Sequence, residues 1–140
     1  MTEAVRFPYL DIEPSLAEAS RLPYLPLRFK SNQHALAASG LLDTGATVNV
    51  LPYGLGLELG FVWEQQTTPV RLSGNLAELP ARVVLLSATV ADFPSVRLAF
   101  AWTQATTLPL LLGQVNFFLE FDVCFFRGQS VFEVRPKPRA

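Results

Sequence analysis

The chain has 140 residues, 50% of them apolar, 11 Phe among them, and a formal net charge of -1. Such a composition argues for a folded, well-buried protein and against disorder, and the scattered Lys and Arg leave no basic stripe for a nucleic-acid partner; only Arg135, Lys137 and Arg139 gather, as a solvated tail. With one cysteine, Cys124, and one histidine, His34, an internal disulfide and a Cys/His metal cluster are both impossible.

Residues 1–20 are read as an N-terminal arm or extension, and residues 21–140 as one domain with length enough for a core. Pro8, Pro14 and Pro23 prevent a long helix there, so "EPSLAEASR" holds at most one helical turn. "MTEAVRFPYLDIEP" has neither a basic start nor an apolar centre, so no signal peptide is expected. No apolar run reaches the roughly 18 residues of a membrane span, and a cytoplasmic protein is expected. The apolar composition also suggests surface covered by a partner chain.

"YLPLRF" (Tyr24 to Phe29) predicts a strand, on an edge because of Pro26. "SNQ" is a turn, and "HALAASGLLD" returns as the second arm of a hairpin with His34 near its tip. "ATVNVLP" predicts a short strand, and "YGLGLELG" one helical turn. "PVRLSGNLAELPARVVLLSATV" predicts two strands around Ser73, Gly74 and Asn75, the second more buried. "VRLAFAW" and "TLPLLLG" are further strands. Phe117 and Phe121 share a face if a helix runs from about Gln114 to Phe121. "VCFFRGQSVFEVRP" is a hairpin turned at Arg127, Gly128 and Gln129, with Cys124 as a small core residue. Short strands and frequent Gly/Pro turns predict an all-β barrel or sandwich.

One short echo stands out: Leu41-Leu42-Asp43-Thr44-Gly45 and Leu110-Leu111-Leu112-Gly113 are apolar strands that each stop near a glycine. Asp-Thr-Gly at a strand end is, by itself, an ordinary turn in which Asp caps local amides. The alternative is chemical. The four aspartates are Asp11, Asp43, Asp92 and Asp122; there is no Ser/His/Asp set and no phosphate loop. Among them Asp43 is best placed, because its apolar flank lowers the local dielectric. Acid–base hydrolysis needs two groups of separated proton affinity, and a homodimer with its axis at this loop supplies the second.

"LLDTGATVNVLP" resembles the active-site loop of retropepsin-like aspartic proteases, and "LPLLLGQVNFFLEFDV" resembles their second signature, two apolar residues, a glycine and a short helix. The following hairpin, ending in "SVFEVRP", is similar to that of the bacterial members, so the resemblance covers about residues 22 to 136. It implies an acid-protease barrel with one short C-terminal helix and an active site on a homodimer two-fold axis. It implies peptide-bond hydrolysis without metal or cofactor, with Asp43 catalytic. Thr44 would be a buried hydroxyl bracing the two loops across the axis. Gly45 would let a backbone amide approach the carboxylates, where a Cβ would obstruct the turn. Ala46 would be small for the same crowding, and Gly113 would let the second apolar strand cross beneath the loop. A hairpin flap from Pro69 to Pro80, tipped by Ser73, Gly74 and Asn75, would close on a peptide or protein substrate. A peptide-binding module that keeps this loop without cleaving is the alternative function.

Overall fold

The computed structural model describes residues 3–11, 21–72 and 79–138. In chain order its strands are β1 (Val5–Pro8), β2 (Leu10–Asp11), β3 (Arg21–Leu22), β4 (Tyr24–Ser31), β5 (His34–Leu42), β6 (Asn49–Leu51), β7 (Pro69–Arg71), β8 (Pro80–Thr89), β9 (Val96–Thr103), β10 (Leu111–Leu112), β11 (Phe121–Phe126) and β12 (Val131–Pro136). Helix α1 (Tyr53–Glu58) follows β6, and α2 (Phe117–Glu120) precedes β11.

Period-two patterning builds the first hairpin. Leu25, Leu27 and Phe29 of β4 are buried while Pro26, Arg28 and Lys30 are exposed. β4 pairs antiparallel with β5 along its whole length, and His34 sits exposed beside the turn. The main sheet runs β4-β5-β10-β6-β9-β8-β7, and a pairing of β4 with β8 closes it into a barrel. That closure uses only Arg28 to Lys30 of β4, opposite Ser87 to Thr89. The other side of β4 at Pro26 is therefore unpaired, where its missing N–H costs no ladder bond. β8 gives the opposite end of the same edge to β7, with Pro69 opposite Arg82 and Arg71 opposite Pro80. One long strand thus both shuts the barrel and roots the hairpin at Pro69–Pro80.

The barrel interior is filled by Leu25, Phe29, Leu86, Leu98, Phe100, Trp102, Leu112 and Phe117, among others. Trp102 is wholly buried, stacked on Tyr53 of α1, and its indole N–H donates to the Tyr53 carbonyl at 3.2 Å. A second cluster lies on the opposite face of the sheet: Val50, Leu72, Ala81, Ala101 and Leu111, with Leu41 and Val48 packed against it. Strands β6 and β10 are therefore buried on both faces, so every residue of "NVL" and "LL" is buried and neither strand alternates.

The C-terminal hairpin forms as expected, β11 pairing with β12 across the turn at Arg127 to Gln129. β1 adds to the free side of β12, so residues 5–8 of the N-terminal arm are a strand of this three-stranded sheet. The Arg6 guanidinium reaches Glu133 at 2.7 Å, directly across that pairing. The helical turn read in "EPSLAEASR" falls at 12–20, outside the described residues.

Two expectations are corrected. Cys124 is exposed rather than a core residue. Strand alternation decides it: Val123 and Phe125 face the Val134 and Phe132 side, whereas Cys124 stands opposite Glu133 on the solvated face. The helix expected from Gln114 begins only at Phe117. The backbone N–H groups of Gln114 and Val115 donate to the carbonyls of Ala46 and Thr47 instead, and Phe121 already starts a strand. The expected aromatic face survives in the one remaining turn: Phe117 and Phe121 are both buried and stack with centroids 4.9 Å apart.

Candidate active site

The two halves of the sequence echo meet side by side. Leu111 and Leu112 of β10 pair in parallel with Leu41 and Leu42 of β5, and Leu111 also pairs antiparallel with Val50 of β6. β10 is thus threaded between two strands that follow one another in sequence. The connection between them, residues 43–48, must arch over the end of β10, and Asp43 is its first residue.

Local hydrogen bonds set the arch. The Asp43 N–H donates to the Leu112 carbonyl at 3.0 Å, continuing the parallel ladder by one step. Its carbonyl accepts the Ala46 N–H at 3.1 Å, which closes a turn. Asp43 Oδ1 accepts the Gly45 N–H at 3.0 Å, the capping that Asp supplies at such turns. Among the described residues the other carboxylate oxygen takes no hydrogen bond. Asp43 is half-buried, between Leu42 in the barrel core and the Leu41 and Val48 flank of the second cluster.

Gly113 passes directly under the arch. A Cβ there would lie 2.6 Å from the Val48 carbonyl oxygen and 2.7 Å from that of Ala46. Its N–H donates to Asn49 Oδ1 at 2.7 Å. The strap continues with Gln114 N–H to the Ala46 carbonyl, Val115 N–H to the Thr47 carbonyl and Asn49 N–H to the Val115 carbonyl, each 2.9 Å. Gly45 and Ala46 are thus both bonded to Asp43, and Gly113 packs beneath them, tied in through Asn49 and its neighbour Gln114.

Thr44, expected as a buried brace, is exposed in the single chain, as is Gly45. Gly45 does bring its amide to the carboxylate. A Cβ at Gly45 would meet only Asp43 Oδ1, at the ordinary contact distance of 3.4 Å, so the turn within one chain does not itself demand glycine. The tip assigned to the flap, Ser73, Gly74 and Asn75, lies outside the described residues. Its arms are described: β7 and β8 pair, the Leu72 N–H donates to the Leu79 carbonyl at 2.9 Å, and Leu72 is buried over Val50 and Leu111.

Two asparagines escaped the sequence reading. Asn49 is wholly buried; its Nδ2 donates to the Ala99 carbonyl at 3.0 Å and to Asn116 Oδ1 at 3.3 Å, while its Oδ1 holds Gly113. Asn116 Oδ1 also accepts the Ala99 N–H at 3.0 Å, and its Nδ2 donates to the Arg97 carbonyl at 3.1 Å. The pair ties the strap under the arch to β9. The signal was present in "TVNVLP", where a polar residue interrupts a doubly buried run and so requires internal partners. Asn49→Leu, of similar shape, leaves the Gly113 N–H and the Ala99 carbonyl without this partner. At roughly 1–3 kcal/mol per orphaned buried group, we expect a loss of about 3 kcal/mol, read as a lower urea midpoint at unchanged m-value.

No protein-family model matches the chain, nor does the sequence of any curated protein. Among solved structures, the chain is similar to a retropepsin-like aspartic protease from Rickettsia conorii, with a TM-score of 0.62 and 14% identity, over 96% of this chain and 92% of that one. With its closed barrel, its short C-terminal helix and the threaded β10 beneath the Asp43 arch, the chain has the retropepsin-like fold.

Proposed function

We propose that the chain is one half of a homodimeric aspartic endopeptidase, with Asp43 of each copy forming a single site. The observation that carries this reading is the arch itself. A half-buried carboxylate has one oxygen fixed by the Gly45 N–H, and the residues after it, Thr44 and Gly45, are turned to solvent at the end of the barrel. Such a carboxylate is a half-site, and a two-fold axis at the arch completes it. The retropepsin-like fold supports the same reading.

In the dimer, two carboxylates about 3 Å apart cannot both ionise cheaply, so they share one proton. The ionised group takes a proton from a water between them as the water oxygen attacks the scissile carbonyl carbon. The protonated group donates a hydrogen bond to the developing oxyanion. Collapse of the tetrahedral adduct breaks the C–N bond, and the amine leaves with a proton from the pair. Thr44 of each copy bonds across the axis, its hydroxyl serving as donor and acceptor together. Residues 69–80 act as the flap, and the apolar flank at Leu41, Val48 and Leu72 favours hydrophobic side chains beside the cut.

Cleavage of a diverse peptide library, from about pH 3 to about pH 8 and across a range of protein concentrations, tests this. The expected outcome is acid-dependent cleavage whose rate rises as about the square of protein concentration until the dimer saturates. A folded, dimeric sample that binds peptides and cuts none refutes the enzyme and selects a peptide-binding module.

A further inference from the structure

We propose that Gln114 is a positioning residue that fixes the Asp43 carboxylate through one peptide unit. This rests on the protease reading of Asp43 for its catalytic consequence, though not for its geometry. Gln114 is exposed, yet its Nε2 donates to the Thr44 carbonyl at 2.9 Å. The Thr44 carbonyl and the Gly45 N–H belong to the same planar peptide, and that N–H is the donor to Asp43 Oδ1 at 3.0 Å. The peptide is therefore held at both ends, by the Gln114 amide on its oxygen and by the Asp43 carboxylate on its nitrogen.

Two physical effects follow. The first is orientational. Peptide planes at turns can rotate by coupled changes in the dihedrals on either side, and a rotation here would swing the Gly45 N–H away from Asp43. Gln114 opposes that rotation from outside the turn, anchored by its own backbone N–H on the Ala46 carbonyl at 2.9 Å. The second is electronic. A donor on the carbonyl polarises the amide and strengthens its N–H as a donor, so the two bonds reinforce one another. Apart from the Asp43 carboxylate's own bond to Gly45, the other arch contacts named above are main-chain bonds or bonds of the buried Asn49 side chain. Gln114 supplies this hold from the surface, where its removal leaves the core intact.

The experiment uses the full chain, labelled with 15N, as wild type, Gln114→Met and Gln114→Glu. Met keeps the length of the side chain and loses the donor. Glu keeps the shape and, ionised, sets an acceptor against the Thr44 carbonyl. Amide hydrogen exchange is read at Gly45, with Ala99 on β9, held by Asn116, as the control. We expect Gly45 exchange to rise about tenfold in Gln114→Met and further in Gln114→Glu, with Ala99 unchanged, as loss of one exposed hydrogen bond implies. We expect kcat on a cleaved peptide to fall about tenfold with KM unchanged, since the displaced group acts on the transition state rather than on substrate binding. Unchanged Gly45 exchange in both variants overturns the proposal, as does faster exchange with an unchanged kcat. A wild type that cleaves nothing refutes the protease reading alone; the exchange result still decides whether Gln114 holds the peptide.

Discussion

Asp43→Asn will give a folded chain that assembles as the wild type does and cleaves peptides at least about 10³-fold more slowly, because each positioned acid or base contributes roughly 10²–10⁴-fold. The fold is insensitive to the change for a local reason. The Gly45 N–H donates to Oδ1, and the Asn side-chain oxygen accepts the same bond. Asp43 is half-buried and makes no ion pair among the described residues, so stability should shift by no more than about 0.5 kcal/mol. In the proposed dimer the change also removes the repulsion between two facing carboxylates, so dimerisation should hold or tighten. A mixing experiment makes the two-copy requirement quantitative. With equal amounts of wild type and Asp43→Asn, exchanged to equilibrium, only about one quarter of the dimers carry two aspartates. Activity falling to about that fraction of an all-wild-type sample at the same total concentration means that the site needs both copies. Activity falling only to about half means that each chain works alone, and the shared-proton mechanism is then wrong.

Much of the architecture was legible because it is written in local patterns. The alternation in "YLPLRFK" and the polar "SNQ" turn define the β4–β5 hairpin, and Pro26 marks the part of β4 that the closure with β8 leaves unpaired. The echo of Leu41-Leu42 and Leu111-Leu112 is a pairing written twice, since parallel neighbours buried on both faces favour the same residues. What the patterns omit is long-range. That β4 reaches β8, and that β1 reaches β12, involve segments that short-range periodicity does not connect. The same blindness shortened the helix. "QVNFFLEF" has helical spacing from Gln114, but the N–H groups of Gln114 and Val115 are taken by an arch some 70 residues earlier, in the pairings with Ala46 and Thr47. Asn116 has the composition of a helix N-cap, yet its side chain bonds to β9 and caps nothing.

The site divides along the same line. Asp43 and Gly113 carry constraints of their own, a carboxylate that caps its own turn and a missing Cβ under the arch, whereas Gly45 brings its amide to Asp43 without the turn requiring glycine. Asn49, Asn116 and Gln114 carry theirs only through partners distant in sequence. Cys124 was misread for the complementary reason. Its neighbours in "FDVCFF" are apolar, but on a strand of a sheet covered on one face every second residue is turned outward. Composition of a short run reports burial only when both faces are covered, as in β6 and β10.

Gly113→Ala should be the substitution that couples fold and chemistry most tightly. A single methyl group there meets the carbonyl oxygens of Val48 and Ala46 at 2.6 and 2.7 Å, both main-chain atoms of the arch that begins at Asp43. No rotamer change relieves such a contact, so either the arch rises or β10 sinks. If β10 sinks, Leu112 is driven into a core where it is already wholly buried. If the arch rises, the 2.9 Å bonds from Gln114 to Ala46 and from Val115 to Thr47 lengthen together. Overpacking of this kind costs about 1–3 kcal/mol, and the lengthened bonds place the loss at the upper end, about 3 kcal/mol. Displacing the carboxylate by about 1 Å is enough to lower kcat about 10²-fold. The variant is therefore expected to unfold at lower urea and, below its midpoint, to stay folded and, on the protease reading, to cleave slowly. Asn49→Leu loses the bond to the same Gly113 N–H without the steric push, and so should lose similar stability and less activity. Equal kcat losses in the two variants would mean that the arch is set by the hydrogen bond; a clearly larger loss in Gly113→Ala would mean that the missing side chain under the arch sets the height of the carboxylate.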